Sequence, residues 1–130
     1  MAERSKDWFE QAERDVESAQ VLHSSGHYEW VCFISQQAGC KAAKAVLQRW
    51  GAEVRGHSVL QLFEAIADRA RVPQPVLTAA RILDRYYIPS RYPNGYASGK
   101  PADYIGVEDA DDASRSADEV LRFCYGLLAR

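Results

Sequence analysis

Between Arg4 and Ser25 the apolar residues Trp8, Ala12, Val16, Ala19 and Leu22 return every three or four positions, the spacing of one helix face. Glu10, Glu13, Arg14 and Glu17 hold the opposite face. Ser24, Ser25 and Gly26 supply a stop, and a second helical stretch runs from about His27 to Trp50 and ends at Gly51. So short a link predicts that the two helices lie antiparallel. The second helix is apolar on two sides: Val31, Ile34, Ala38, Ala42 and Ala45 share one, while Cys32, Ala43, Leu47 and Trp50 lie well round from it. Between them runs a narrower stripe with Trp30, Gln37, Lys41 and Lys44. A helix apolar on two sides is buried on two sides. One face is therefore expected to pack within the domain and the other against a second copy, which predicts a homodimer.

A third helix is predicted from Ser58, whose hydroxyl suits a cap, with Val59, Phe63, Ile66 and Ala70 on one face. It ends before VPQP, where Pro73 and Pro75 break the pattern and Pro75 opens the next helix. The fourth uses Val76, Ala79, Ala80, Leu83 and Tyr87 and stops at Pro89. From Pro89 to about Gly106, three prolines and three glycines with no clear period predict one long irregular segment. The last helix begins around Val107, with Glu108, Asp109, Asp111 and Asp112 near the positive end of its dipole. Ala110, Ala113, Ala117, Val120, Cys124 and Leu127 form its apolar face. No stretch alternates as a strand does. The expected fold is all-α: a single domain over residues 1–130, an antiparallel up-and-down bundle of four long helices plus a shorter fifth.

Composition narrows the setting. With 47% hydrophobic and 26% charged residues, the 130-residue chain has the make-up of one globular domain. A formal net charge of −2 gives no overall basic field to draw in nucleic acid and leaves only local patches to do so. Cys32, Cys40 and Cys124 form no C-x-x-C pair and are odd in number, which favours buried thiols over disulfides or zinc. The charged start, MAERSKDWFEQAERD, lacks the apolar core of a signal peptide, and no apolar run is long enough to span a bilayer. A reducing cytoplasm is the expected location, with no membrane partner.

Chemistry-bearing motifs are few. His23 and His27 are four apart but straddle the helix break, so they read as polar residues at a turn rather than metal ligands. His57, in RGHSVL, stands at the edge of a helix, where its ring either packs across the bundle or donates a hydrogen bond. No phosphate loop, dinucleotide fingerprint or serine nucleophile turn occurs, and EDADD lacks the ligand spacing of a calcium loop. No metal or cofactor is expected. The densest feature is YYIPSRYPNGY, Tyr86 to Tyr96, where four tyrosines surround two prolines and Arg91.

Several segments together resemble the HEPN domain, a helical module of higher eukaryotes and prokaryotes named for nucleotide binding. They are WFEQAERDVESAQVLHSSGHYEWVCFISQQAGCKAAKAVL, then GHSVLQLF, then LDRYYIPSRYP followed by the terminal alanine-rich helix. The resemblance covers nearly the whole chain. It implies a bundle of four or five helices, commonly a homodimer, in a family that includes partners of small nucleotidyltransferases and RNases of toxin and antitoxin systems. In the RNase branch an arginine is followed, after four to six residues, by a histidine near the end of the penultimate helix. Here Arg91 is followed by Tyr92, Pro93, Asn94, Gly95, Tyr96, Ala97 and Ser98, so that histidine is missing. Relatives also carry an acidic residue just before the first lysine of the second helix, where this chain has Cys40 before Lys41.

Two functions of different class follow. The first is a non-catalytic module, a homodimer that binds a nucleotide or RNA, or associates with a separately encoded nucleotidyltransferase. Arg91 supplies a planar donor for phosphate, Tyr87 and Tyr92 offer rings, Lys41, Lys44 and Lys100 add charge, and His57 borders the same site. Against it stands a purely structural role, with Arg91 paired to Asp84 or a helix C-terminus and the tyrosines closing the bundle end or the dimer. The second function is a metal-independent RNase with a rearranged site, in which Arg91 stabilises the cleaved phosphate and His57 moves a proton.

Overall fold

The computed structural model describes residues 3–130. Six α-helices are present among them: α1 (Ser5–Ser24), α2 (Tyr28–Arg49), α3 (Val59–Ala67), α4 (Gln74–Asp84), α5 (Pro101–Tyr104) and α6 (Val107–Leu128). No strand occurs among the described residues. The five helices expected from the hydrophobic spacing are all there, but three are long, at 20, 22 and 22 residues, and α3 and α4 have only 9 and 11. The segment expected to be irregular contains the single turn of α5 and a 3₁₀ turn, Pro93–Gly95.

Local chemistry accounts for the ends. Both α1 and α2 finish on a glycine in the left-handed region, Gly26 at φ +79° and Gly51 at φ +75°. At each end the glycine N–H returns to one late carbonyl and the following residue to the one before it. The pairs are Gly26 to His23 and His27 to Leu22, then Gly51 to Gln48 and Ala52 to Leu47, all close to 3.0 Å. Ser58 caps α3, its Oγ accepting from the Gln61 N–H at 3.1 Å. α4 stops earlier than its apolar spacing suggests, leaving Tyr86 and Tyr87 in turns beyond it. The Arg85 and Tyr86 N–H groups tighten onto Ile82 and Leu83, three residues back. Pro89 then disfavours helical geometry at Ile88.

Cross-helix contacts give the directions. Asp15 meets Lys41, Trp8 meets Lys44 and His23 meets Tyr28, so α1 and α2 are antiparallel. Phe9 meets Tyr125 and His23 meets Asp111, so α1 and α6 are antiparallel too. The link after α2 climbs back along the bundle, so that Val59 lies beside Gly39 while Arg69 bonds the Trp50 carbonyl at 3.3 Å. α3 therefore runs with α2.

α2 is the central element, packed against α1, α3, α4 and α6. Val31, Cys32, Ala38, Ala42, Ala43, Ala45, Val46 and Leu47 are all buried inside this one chain. This removes the footing of the inference drawn from its two apolar faces: most residues of both are buried by helices of the same molecule. The small residues permit close approach. A Cβ at Gly39 would lie 2.8 Å from Leu83 Cδ1, deep in the core.

The buried stripe of α1 is also rotated from the expected one. Phe9, Ala12, Asp15 and Ala19 are buried, whereas Trp8, Val16 and Leu22 are half-buried. All three cysteines are free and buried. Burial pushes the thiols of Cys32 and Cys40 up to about 12 and that of Cys124 higher still. Since the thiolate is the reactive form, iodoacetamide at neutral or mildly alkaline pH is expected to leave the folded protein unmodified. The same reagent in denaturant should alkylate all three, as counted by intact mass.

Candidate functional site

The first turns after α4 carry Arg91 back over the bundle. Its Nε donates to the Tyr87 carbonyl at 3.0 Å, and the Ser90 hydroxyl, buried, donates to the Tyr86 carbonyl. These bonds hold the guanidinium against three rings. Its carbon lies 4.4 Å from the ring centre of Phe33, 4.8 Å from Tyr87 and 4.9 Å from Tyr92. Phe33 is contributed by α2 and is flanked by Trp30, edge-to-face at 6.0 Å. The ring of His57 stacks on Tyr87, 5.1 Å between centres and 15° from parallel. Arg91 and His57, 34 positions apart in sequence, thus pack on the same tyrosine.

Among the described residues, no ion pair involves Arg91, and Asp84 does not partner it. Asp84 instead sits at the start of α3. One of its carboxylate oxygens accepts from the Val59 N–H at 2.8 Å, and the other from Leu60 N–H at 3.0 Å and Ser58 Oγ at 2.8 Å. A carboxylate there satisfies otherwise orphaned N–H groups and faces the positive end of the helix dipole.

Gln36, fully buried on α2, joins this centre to the His57 loop. Its amide nitrogen donates to the His57 carbonyl at 2.6 Å and reaches Asp84 at 3.3 Å. The Cys40 thiol donates to the same carbonyl at 2.8 Å. Cys40 thus makes a neutral hydrogen bond where a carboxylate would repel that oxygen. Among the described residues, every buried side-chain nitrogen and oxygen has a partner.

The remaining expected site residues lie elsewhere. Lys41 is paired with Asp15 at 2.7 Å, and Gln11 holds the second Asp15 oxygen at 2.9 Å. The Lys44 ammonium lies over Trp8, 5.8 Å from the ring centre. Lys100 is spent on Asp103 at 3.0 Å. Tyr96 stacks on Tyr104 at 4.2 Å and bonds the Pro89 carbonyl, closing the loop behind the site. His23 cross-links α1 to Asp111 of α6 at 2.7 Å, and Asp109 accepts from Tyr86 Oη at 3.3 Å and the Gly106 N–H at 3.0 Å. The acidic run is therefore structural. Among the described residues, no group of three His, Cys, Asp or Glu is placed to hold a metal.

Phe33, Gln36 and Asp15 are the residues that spacing alone missed, and Asp84, expected to pair with Arg91, caps α3 instead. Gln36 and Asp15 are polar positions on otherwise apolar faces, and that mismatch was the available signal.

The family model for the HEPN domain matches residues 5–127, almost the full length. The chain belongs to the HEPN family. Among solved structures, TT1696 from Thermus thermophilus superposes with a TM-score of 0.93 at 35% identity, covering 97% of this chain and 99% of that one. ST0689, an archaeal HEPN homologue, is 42% identical with a TM-score of 0.81, covering 96% and 98%. A HEPN domain protein from Thermotoga maritima is 33% identical with a TM-score of 0.79, covering 95% and 98%. The chain is also 29% identical to Putative toxin MJ1304 of Methanocaldococcus jannaschii, over 95% of this chain and 88% of the relative. No helix among the described residues of this HEPN chain is long and apolar enough to cross a membrane.

Asp84 anchors three elements of the HEPN bundle at once, so Asp84→Ala is expected to destabilise the protein by about 2–4 kcal/mol, through lost capping and buried donors left unpaired. Asp84→Asn, which keeps acceptor oxygen but loses the charge, should cost less. Urea unfolding followed by circular dichroism measures both; equal stability of wild type and Asp84→Ala would refute the anchoring role.

Proposed function

We propose that this HEPN domain is a non-catalytic binding module that takes the phosphate of a nucleotide or RNA on Arg91. The observation that carries it is the guanidinium itself, packed by Phe33, Tyr87 and Tyr92 and engaged by no carboxylate among the described residues. A planar cation held by rings keeps its fork of donors ready for phosphate, and the half-exposed Tyr92 offers a face on which a base can stack. The missing Arg-to-His spacing supports binding over turnover.

In this proposal the module works as a homodimer and beside a separately encoded nucleotidyltransferase, in a toxin–antitoxin-like setting. The toxin name of the Methanocaldococcus jannaschii relative supports that setting. Support for a second copy comes from the apolar surface that Trp30 and Ile88 expose, at 41% and 46%.

One observation favours a second function, a metal-independent RNase: His57 and Arg91, far apart in sequence, both pack on the Tyr87 ring. There Arg91 would stabilise the phosphate and His57 transfer the proton.

Titration calorimetry with AMP, ATP and a short single-stranded RNA is expected to show saturable binding, roughly 10–100-fold weaker in Arg91→Ala. The RNA should be recovered intact. Absence of binding with all three would defeat the binding proposal, and cleavage lost in both Arg91→Ala and His57→Ala would establish the RNase. Light scattering should give twice the 14.6 kDa chain mass. Ile88→Glu, placing charge in the exposed patch, should shift it toward monomer; a monomeric wild type at all concentrations would rule out the homodimer.

A further inference from the structure

Lys41 and Lys44 stand about 12 and 16 Å along α2 from Phe33, at 1.5 Å per residue. Lys41 is neutralised by Asp15 and, on the same side of Trp8, Arg4 is neutralised by Asp7 at 3.0 Å. The other side of Trp8 is different. There a cleft of about 270 Å³ is lined by Trp8, Lys44, Gln48, Glu53 and Arg55 among others. Neither Lys44 nor Arg55 takes part in an ion pair among the described residues, and Glu53 is the one carboxylate on the wall. Cations lining a concavity focus a positive potential into it.

One loop links this cleft to the Arg91 site. Arg55 and His57 are two residues apart; Arg55 lines the cleft, and His57 stacks on the Tyr87 ring that Arg91 also contacts. Between the two, the half-buried Phe33, Gln37, Lys41 and Lys44 form one stripe of α2. Each end repeats the same unit, a cation over an aromatic face: Arg91 over Phe33, Tyr87 and Tyr92, and Lys44 over Trp8.

We propose that Trp8, Lys44 and Arg55 form a second subsite for a phosphate and a base, and that the ligand is a single-stranded polynucleotide lying along α2 from Arg91 to Lys44. This rests on Arg91 being a phosphate-binding group. A span of about 16 Å needs about five stacked nucleotides at 3.4 Å each, beyond the reach of a mononucleotide. Rings stack bases with little sequence preference and cations track the backbone, as in other single-strand grooves.

The test compares AMP with hexaadenylate bearing 2′-O-methyl riboses, which cannot be cleaved through a 2′-hydroxyl. The wild-type protein should bind the hexamer at least about tenfold more tightly than AMP. The Lys44→Gln/Arg55→Gln double variant should lose about tenfold for the hexamer and lower the slope of log affinity against log salt by about 1.4. Lys44→Arg/Arg55→Lys, which keeps both charges, should restore tight binding and controls for folding. Equal binding of AMP and hexamer, or wild-type hexamer affinity in the Gln variant, overturns the second subsite and leaves the Arg91 site intact. Hexamer binding that needs Lys44 and Arg55 but not Arg91 overturns the Arg91 site and the continuity proposed here. No binding of either probe overturns both.

Discussion

The carboxylate of Asp84 is where the architecture converges. It terminates α4, accepts the first free N–H groups of α3 and the Ser58 hydroxyl, and meets the Gln36 amide from the centre of α2. α3 has only 9 residues, too few to be stable by its own hydrogen bonding, so its position depends on that anchor and on the burial of Val59, Leu62, Phe63 and Ile66. The same centre fixes the His57 carbonyl through Gln36 and Cys40, and hence the ring that rests on Tyr87. Displacing Asp84 would loosen the helix and the candidate site together.

Arg91 is arranged in the opposite sense. Asp84, the nearest carboxylate in sequence, is committed to α3 and leaves the guanidinium to Phe33, Tyr87 and Tyr92. Rings screen a cation from water without neutralising it, which suits a group that must accept an incoming anion. Bond by bond, the surrounding loop is braced from behind by the Tyr96–Tyr104 stack and the buried Ser90. Solved structures of 33–42% identity share this backbone over nearly their full lengths, with TM-scores of 0.79–0.93.

Much of the frame was legible in the chain itself. Gly26 and Gly51 marked two helix ends because a left-handed residue closes a helix at little cost only when it lacks a Cβ. Ser58, Pro75 and the carboxylates after Val107 marked three helix starts for equally local reasons. The dimer inferred from α2 had no such footing, because two apolar faces are equally served by α6 and by another molecule. Trp8 and Asp15 show the same limit on α1, where the spacing favoured the indole and the structure buried the carboxylate beside Lys41.

The sequence by itself determined the all-helical class and the ends of α1 and α2, since these rest on hydrogen bonds and apolar periods within a few residues of each other, and its resemblance to HEPN domains pointed to the family. Only the tertiary structure decided that His57 meets Arg91 on Tyr87 and that Asp84 caps α3 rather than pairing with the arginine. It also separated Lys41, already neutralised, from Lys44 and Arg55. Those outcomes depend on which charges and rings lie within a few ångströms across the bundle, and spacing along the chain carries no record of such distances.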